Sequence, residues 1–404
     1  METNNTAAKQ QRTPASAIVI LVICCAIMVA SGFSQFKFPP VLTSMLEYYQ
    51  IEMGAFSIVM SVFQWVCIIA MIPVGLFLSR VSPKLGGIIG AVAIIVGNVA
   101  GMFATTVALL VVGRIIEGLG YCILQVLTQS IVTSTFKDSP LKGSATGILN
   151  TGMLFGQMIH YNVAPYALKV GGLRSVYMYI IIVVAVLAVL WAILISGKAQ
   201  AVSGAAKLSK AEKRARTLAV YRSRDMWLVA IACALIRAAV ANVGTYIPAY
   251  LEVARGMSNA AASSITSIAT ALGIVSLIMY GVVSDALKTK RKLMIFSCFS
   301  VIVVYMCLMN LPVNLIIVAI VLYGLLPRAF TTLTFSCYPE IFEDQSVIPV
   351  AHSLVHFCMN LVSAIGTIAF GYVIQYLGYN ALWYLVIILG VAAGILWIFV
   401  RKVK

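Results

Sequence analysis

The chain has 404 residues, of which 62% are hydrophobic and only 10% are charged, and its formal net charge is +16. A soluble domain carries about 25% charged residues, so this composition excludes a soluble globular protein and indicates a polytopic membrane protein. No signal-peptide cleavage pattern follows the first apolar segment, which we interpret as a retained span.

The positive charge follows the topology of the chain. Most of the 28 lysines and arginines lie in the N-terminal tail, the central polar segment and other loops that we assign to one side of the membrane. This distribution obeys the positive-inside rule and predicts that both termini are cytoplasmic. No nucleic-acid recognition motif accompanies the charge, and the nine cysteines form no CxxC pair. We therefore expect no nucleic-acid partner, no metal site and no cofactor.

Apolar stretches of about 20 residues predict membrane-spanning helices. The twelve predicted spans are 15–38, 54–78, 85–105, 106–135, 142–167, 174–196, 226–251, 258–284, 292–310, 313–338, 347–375 and 380–401. We expect an all-α membrane protein in four parts: a cytoplasmic tail (1–14), an N-terminal six-helix bundle (15–196), a cytoplasmic linker (197–225) and a C-terminal six-helix bundle (226–401).

Ionisable residues within the spans are the main functional candidates, because a charge at the bilayer centre costs about 2.5–3.5 kcal/mol. Lys37 lies near the outer end of the first span, where we expect it to snorkel to the interface rather than bind a substrate. In the fourth span, Arg114, Glu117, Tyr121 and Gln125 share one helical face. We predict that this face lines a water-filled cavity. Arg114 and Glu117 form either a structural ion pair or, as we favour, a substrate and proton site.

Two other patterns concern the fourth and fifth spans. Gly113 and Gly120 lie together on a separate face of the fourth span, which favours close packing against a neighbouring helix. Gln157 in the fifth span lies on a polar face and is a candidate neutral substrate contact. A hydrogen-bonded stripe between helices explains that polar face equally well.

The C-terminal half carries two arginines within its spans. Neither Arg237 nor Arg328 has an acidic neighbour in its own helix, and we predict that both contact substrate or a gate. Pro327 removes a backbone donor and predicts a local bend beside Arg328. Tyr246 belongs to a second polar stripe, about 140° around the helix from Arg237, and is a further candidate substrate contact.

His352 and His356 fall on one face of the eleventh span. Two histidines at this spacing are compatible with a metal site, with a proton-responsive lining or with packing. No carboxylate shares their helix face, which disfavours a metal. We favour the proton-responsive lining.

The two halves of the sequence repeat one pattern. The segment GLFLSRVSPK after the second span corresponds to GVVSDALKTKRK after the eighth, and FPPVL at the end of the first span corresponds to IPAYL in the seventh. The openings of the sixth and twelfth spans, GGLRSVYMY and LGYNALWYL, match in the same way, as do Arg114 and Arg328. Four matches in one order at a nearly constant offset indicate an internal duplication.

Twelve spans in two repeats with Gly-x-x-x-Asp-type loops resemble the major facilitator superfamily, over about residues 15–401. The resemblance implies alternating access around a central site. Arg114, Gly118 and Gly120 match the Arg-x-x-x-Gly-x-Gly pattern often found on the fourth span of that family, where the arginine is associated with proton transfer.

The same resemblance identifies a gate motif in the loops after the second and eighth spans. Its residues here are Gly75, Arg80, Gly281, Asp285 and Arg291. In the family the acid of this motif belongs to a cytoplasmic charge cluster that holds one gate state. Ser79 stands at the acidic position of the first copy, so the N-terminal cluster departs from the family pattern.

The balance of charges within the spans predicts the substrate class. The spans contain three arginines, Arg114, Arg237 and Arg328, and one clear acid, Glu117. Guanidinium groups suit planar or tetrahedral anions. We therefore predict a transporter, not an enzyme, that moves a small organic or inorganic anion, with proton coupling or exchange, as a monomer in the cell membrane. The chain has no P-loop. The alternative is a proton-coupled exporter of amphipathic drugs, favoured by 17 methionines but weakened by the absence of the exporters' Gly-Pro signature from the fifth span.

Overall fold

The computed structural model describes residues 14–136, 139, 141–195, 218–342 and 347–403. These residues form helices and contain no strand. The predicted N-terminal tail and most of the predicted linker lie outside them. The α-helices are α1 (Pro14–Gln35), α2 (Leu42–Tyr49), α3 (Met53–Leu78), α4 (Pro83–Met102), α5 (Val107–Thr135), α6 (Lys142–Leu194), α7 (Arg224–Arg237), α8 (Ile247–Val253), α9 (Asn259–Leu287), α10 (Lys290–Asn310), α11 (Ile316–Leu325), α12 (Ala329–Ile341) and α13 (Ile348–Phe399).

Two of these helices are long enough to cross a bilayer twice. The described residues contain ten helical segments that are long and apolar enough for a membrane span, and the segments in α6 and α13 have 51 and 50 residues. Each of the two helices breaks at a glycine with positive φ, Gly172 at 66° and Gly378 at 78°, a conformation that other residues rarely adopt. Counting one crossing on each side of each break, the ten segments provide twelve membrane crossings, the number of predicted spans. The two breaks occupy equivalent positions in the predicted repeat.

Glycines bring neighbouring helices of the N-terminal half into backbone contact. A Cβ on Gly113 would lie 2.7 Å from the carbonyl oxygen of Gly97, and one on Gly120 would lie 2.6 Å from that of Gly90. These contacts join α5 to α4 and confirm the close packing predicted for the glycine face of the fourth span. Gly32 and Gly156 bring α1 and α6 together in the same way.

The two ends of the bundle differ in how the halves meet. We call residues 14–195 the N-half and residues 218–403 the C-half. The end at which α1 finishes and α3 begins is the distal end, and the end at which α1 begins and α13 finishes is the terminal end. Among the described residues, hydrogen bonds between the halves occur only in the distal half of the molecule.

Small residues and polar side chains join the two halves at the distal end, and we call these contacts the distal closure. A Cβ on Gly371 would lie 2.3 Å from the Cβ of Ser57, so α13 and α3 approach too closely for any larger residue there. Gln375 accepts a hydrogen bond from the amide of Gly54 at 3.0 Å. Toward the terminal end, a Cβ on Gly75 or Gly147 would meet no atom within 4 Å, so neither glycine marks a close contact between helices.

Candidate functional site

A buried cluster of charges lies where α1, α4 and α5 meet in the N-half. We call Lys37, Arg114 and Glu117 the N-half cluster. Their side chains are only 1%, 2% and 0% exposed. Gly97 of α4 makes room for the acid, because a Cβ at that position would lie 2.5 Å from the Cγ of Glu117. The close α4–α5 packing therefore sets the position of the carboxylate.

Arg114 joins Glu117 to the end of α1. Its NH1 donates to Oε2 of Glu117 at 2.9 Å and to the carbonyl of Ser34 at 2.9 Å, and its NH2 donates to the carbonyl of Gln35 at 3.4 Å. Those carbonyls belong to the last turn of α1, where no intrahelical donor remains and a cation is favourable. The structure thus brings together the Arg114–Glu117 pair that the sequence predicts.

Lys37 is the second cation on Glu117, and the prediction that it snorkels to the membrane interface is wrong. Its Nζ pairs with Oε1 of Glu117, donates to Oδ1 of Asn98 at 3.1 Å and lies 4.5 Å from the ring centroid of Tyr177. The cause is the end of α1 at Gln35, which lets the following residues turn inward.

Neutral polar groups complete the cluster. Asn98 donates to the hydroxyl of Ser34 at 3.1 Å, and that hydroxyl donates to Oε2 of Glu117 at 3.3 Å. His160 of α6 lies 3.2 Å from the carbonyl oxygen of Lys37 through Nε2, so Nε2 carries the proton and Nδ1 accepts from the hydroxyl of Tyr179. The sequence analysis missed Asn98, Ser34 and His160. A polar residue in an apolar helix was their only signal.

Glu117 compensates the cations of the N-half cluster in part, and Nε of Arg114 is buried without a hydrogen-bond partner. Two cations share one acid, which leaves a formal charge of +1 with almost no exposed surface. Arg114 is further enclosed by the rings of Phe38 and Phe63, with centroids 4.7 and 4.8 Å from its Cζ. In this conformation the cluster does not present an open anion site.

The remaining predicted residues of the fourth span lie one and two turns further along α5. Tyr121 is buried against Phe63, with ring centroids 5.0 Å apart, and among the described residues its hydroxyl has no hydrogen-bond partner. Gln125 is partly exposed, and its buried Oε1 also lacks a partner there. Both side chains thus have hydrogen-bonding capacity that the fold leaves unused.

Arg237 marks a break in the first long helix of the C-half. α7 ends at this residue and continues as a π-helical turn over Ala238–Asn242, a feature frequent at functional sites. Tyrosines from α10 and α11 accommodate the break: the hydroxyl of Tyr323 donates to the carbonyl of Val240 at 2.6 Å, and that of Tyr305 donates to the carbonyl of Ala239.

The Arg237 guanidinium is held by neutral groups. Its Nε donates to the hydroxyl of Ser363 at 3.2 Å, and the side chain is partly exposed. It interacts electrostatically with Tyr121 of the N-half and with His356 of α13. No carboxylate lies within 4 Å in the described part of the chain. Arg237 and Tyr121, two predicted site residues from different halves, therefore interact electrostatically.

Arg328 also lies at a helix break. The predicted bend is confirmed: Pro327 has non-helical dihedral angles and separates α11 from α12. The freed carbonyl of Leu325 accepts from the hydroxyl of Ser276 at 2.7 Å. Gly273 makes room for the guanidinium, since a Cβ there would lie 3.1 Å from its Cζ.

Arg328 has no acidic partner within 4 Å among the described residues. Its Cζ lies 5.3 Å from the ring centroid of Tyr323, and its Nε is buried without a hydrogen-bond partner. It interacts electrostatically with Tyr161 of the N-half. That tyrosine accepts from Nε2 of Gln157 at 3.0 Å, which brings the predicted fifth-span residue to the same region.

Three predicted residues have other surroundings. Tyr246 is fully buried and its hydroxyl donates to the carbonyl of Thr367 at 2.6 Å, so its polar group is used in packing. His352 and His356 are partly exposed neighbours, with ring centroids 4.3 Å apart.

The predicted gate residues lie at the terminal end. Among the described residues, neither Arg80 nor Asp285 forms an ion pair, and both are exposed. Arg291 caps the end of α13 through the carbonyls of Trp397 and Ile398. No ion pair therefore joins the acid and the bases of the motif among the described residues.

Comparisons with known proteins agree with this architecture. A family model described as Major Facilitator Superfamily matches residues 23–347 and 256–404. No sequence among the curated proteins matches the chain. The solved structures that resemble it include a D-xylose–proton symporter (TM-score 0.77, 14% identity, covering 96% of this chain and 98% of that chain). They also include a bacterial homologue of the human lysosomal transporter Spinster, inward-facing and unoccupied (TM-score 0.79, 12% identity, 96% and 95%), and a mutant of the nucleoside transporter NupG (TM-score 0.75, 14% identity, 95% and 100%).

These structures share the fold and carry different substrates, so they do not indicate what this protein moves. The family model covers most of the described residues of both halves. The chain belongs to the Major Facilitator Superfamily and is a multi-pass membrane transporter of that family, not an enzyme.

Proposed function

We propose that the protein is a secondary active transporter of a small organic or inorganic anion. The observation that carries this proposal is the pair of C-half arginines, Arg237 and Arg328, which lack a carboxylate within 4 Å in the described structure. A partly buried guanidinium without a counter-charge is costly, and an anionic ligand would remove that cost. A planar carboxylate or an oxyanion matches the donor geometry of the guanidinium.

The N-half would supply neutral contacts to the same ligand. Gln125 has a buried Oε1 without a described partner. Tyr121 interacts electrostatically with Arg237, and Gln157 donates to Tyr161, which interacts electrostatically with Arg328. We propose that the arginines bind the charged group of the substrate and that these side chains orient its remainder. Tyr246 is not included, because its hydroxyl is already bonded.

We propose that the terminal end faces the cytoplasm of a cell membrane, as the charge distribution predicts. The hydrogen bonds that join the described residues of the two halves lie toward the distal end, which then fits an inward-facing state of alternating access. The gate residues Arg80 and Asp285, which form no ion pair among the described residues, fit this state, since the family motif would close only when the terminal ends of the halves meet.

Proton coupling or exchange would balance the charge of the anion. We propose Glu117 as the proton-binding group, because its carboxylate is the only acid within the N-half cluster, and His352 and His356 as a proton-responsive lining near Arg237. Changing Glu117 to glutamine is expected to flatten the pH dependence of transport.

The direct test is uptake of radiolabelled anions into proteoliposomes. A thermal-shift screen of the purified protein against carboxylates, nitrate, phosphate and sulfate would first select the anion, because a ligand at 100 times its Kd stabilises the folded state by about 2.7 kcal/mol. Arg328→Ala should then abolish uptake. Arg174→Ala, which removes an exposed arginine, should not change it.

Two results would contradict the proposal. One is uptake by Arg328→Ala equal to that of the wild type. The other is stabilisation by amphipathic organic cations with no response to any anion, which would favour the drug-exporter alternative.

A further inference from the structure

A basic cavity lies at the terminal end of the C-half, where the start of α7 meets the end of the chain. Its volume is about 430 Å³, and it is lined by three cations, Arg222, Arg224 and Lys402, together with Ser223, Asp225 and Phe342. We call this space the terminal cavity. Arg224 and Arg237 are the first and last residues of α7, about 20 Å apart along the helix axis. The terminal cavity is therefore distinct from the proposed substrate site.

The acid that lines the terminal cavity is bonded to backbone. Asp225 lies in the first turn of α7, and its Oδ2 accepts from the amides of Arg401 at 3.3 Å and Lys402 at 2.9 Å. Among the described residues, no carboxylate lies within 4 Å of the charged groups of the three lining cations. Three cations and one acid leave the lining with a formal charge of +2.

The three cations are arranged to receive an anion. Nζ of Lys402 donates to the carbonyl of Ile341, the last residue of α12, at 3.3 Å, which holds the ammonium group at the cavity. Arg222 and Arg224 are exposed, so their guanidinium groups are accessible from outside the bundle. Guanidinium donors match the oxygens of a phosphate, and an ammonium group adds a point charge.

Aromatic side chains place the terminal cavity at the membrane surface. Tyr221 and Trp227 flank the lining segment 222–225 in the chain, and their ring centroids lie 6.0 Å apart. Nε1 of Trp227 donates to the carbonyl of Tyr221 at 2.9 Å. The two side chains are 48% and 37% exposed. Exposed tyrosine and tryptophan at the end of a membrane span are typical of the interfacial belt, where the rings meet lipid headgroups.

We propose that the terminal cavity binds the phosphate of an anionic phospholipid, with the headgroup between Arg222, Arg224 and Lys402 and the acyl chains beside Tyr221 and Trp227. The charge of the lining is complementary to such a headgroup. Anionic lipids are enriched in the cytoplasmic leaflet, the side to which we assign the terminal end, and basic pockets between spans on that side suit their headgroups.

The exposed aromatic pair favours a lipid over a soluble phosphate as the occupant, because only the lipid brings apolar surface to those rings. The bound lipid would join the start of α7 to the end of the chain through one headgroup. This inference goes beyond the proposed function, and it does not depend on the identity or the sign of the substrate.

Native mass spectrometry of the full-length protein tests the site by measuring the affinity for the first bound lipid. The probes are phosphatidylglycerol and phosphatidylcholine with identical acyl chains, since the two headgroups differ in net charge. The wild type should bind phosphatidylglycerol roughly tenfold or more tightly than phosphatidylcholine. The double variant Arg222→Gln, Arg224→Gln should weaken phosphatidylglycerol binding by roughly thirtyfold, as expected for two basic side chains lost at an anionic surface, and should leave phosphatidylcholine binding unchanged.

Two further variants define the readout. Lys288→Gln with Lys292→Gln removes the same charge from exposed positions at the terminal end outside the cavity, and should change the affinity by less than about twofold because salt screens exposed charges. Asp225→Asn removes the negative charge of the lining and keeps a side-chain oxygen that can accept from the two amides. It should bind phosphatidylglycerol several-fold more tightly, a gain that a purely structural role of Asp225 does not predict.

The inference is overturned if the lysine pair and the arginine pair weaken phosphatidylglycerol binding equally, which would assign the effect to diffuse surface charge. Displacement of phosphatidylglycerol by an equal concentration of inorganic phosphate would overturn it too, in favour of a soluble ligand. Should the arginine double variant fail to give a monodisperse protein, Lys402→Gln decides, with an expected loss of roughly fivefold. Each of these results leaves anion uptake by Arg237 and Arg328 untouched.

Discussion

The N-half and the C-half each hold two cations within their spans and compensate them differently. Arg114 and Arg328 occupy matching positions of the fourth and tenth predicted spans, whereas Lys37 follows the end of α1 and Arg237 is the last residue of α7. In the N-half a single acid pairs with both cations and all three side chains are buried. In the C-half the arginines are partly exposed and contact hydroxyls and aromatic rings.

The sequence difference behind this contrast is small. Three residues after Arg114 the chain has Glu117, and three residues after Arg328 it has a threonine. The acid of the N-half therefore has no counterpart at the matching position of the C-half. The contrast shows that duplicated halves can keep an arginine at matching positions while only one of them keeps an internal counter-ion.

Removing the shared acid should have the largest effect on stability. Glu117→Ala leaves Lys37 and Arg114 buried without a counter-charge, which costs about 3–5 kcal/mol in typical proteins. Thermal unfolding of the purified protein measures the loss. Glu340→Ala, in the partly exposed pair with Lys290, is the matched control and should cost at most about 1 kcal/mol. Equal losses for the two variants would show that the N-half cluster is not a special ion site.

Matched arginine substitutions should next distinguish the roles of the buried charges in the two halves. Arg114→Met removes charged hydrogen bonds to Glu117 and to the last carbonyls of α1, and should cost about 2–3 kcal/mol. Arg328→Met removes an uncompensated charge that makes one aromatic contact, so the stability of the ligand-free protein should change by about 1 kcal/mol or less.

The readouts of this pair are thermal unfolding and anion uptake. We expect Arg328→Met to unfold like the wild type and to lose uptake, because its charge serves the ligand and not the fold. A large loss of stability in Arg328→Met would instead assign Arg328 a structural counter-ion and would erase the contrast between the halves.

Local patterns in the sequence predicted much of the fold. Apolar length identified the spans, the glycine face of the fourth span identified its contact with α4, and Pro327 identified the helix break beside Arg328. The pairing of Arg114 with Glu117 was also predictable, because the two residues are three positions apart on one helix. Each of these features depends on residues that are close in the chain.

The features that escaped prediction depend on residues that are far apart. Lys37 and Glu117 are 80 positions apart, and the position of Lys37 near a predicted helix end favoured the interface as its location. His160 looked like an isolated polar residue, and its partners come from α1 and from the second part of α6. Tyr246 was a candidate substrate contact, and its hydroxyl donates to the carbonyl of Thr367, a residue 121 positions away in the chain.

A glycine pair should distinguish the close helix contact at the distal end from the space beside Gly75 at the terminal end. Gly371→Ala would force a methyl group against Ser57 and should destabilise the closed arrangement by about 1–3 kcal/mol. Gly75→Ala places a methyl group where no atom lies within 4 Å and should be neutral or slightly stabilising. Hydrogen exchange in the first turns of α3 is the measurement, and equal rates in the two variants would contradict the asymmetry between the ends.

The smallest expected effect concerns two tyrosines, Tyr246, whose hydroxyl is bonded within the C-half, and Tyr121, which we assign to the proposed substrate site. Tyr246→Phe removes a buried hydroxyl that donates to the carbonyl of Thr367 and should cost about 1 kcal/mol of stability. Because that hydroxyl already donates its proton within the C-half and the side chain is fully buried, the KM for the transported anion should not change. Tyr121→Phe is the matched comparison, since its hydroxyl has no described partner and interacts electrostatically with Arg237. It should raise KM and leave stability within about 0.5 kcal/mol. If the two variants exchanged these outcomes, the tyrosine that contacts the substrate would be the one in the seventh span.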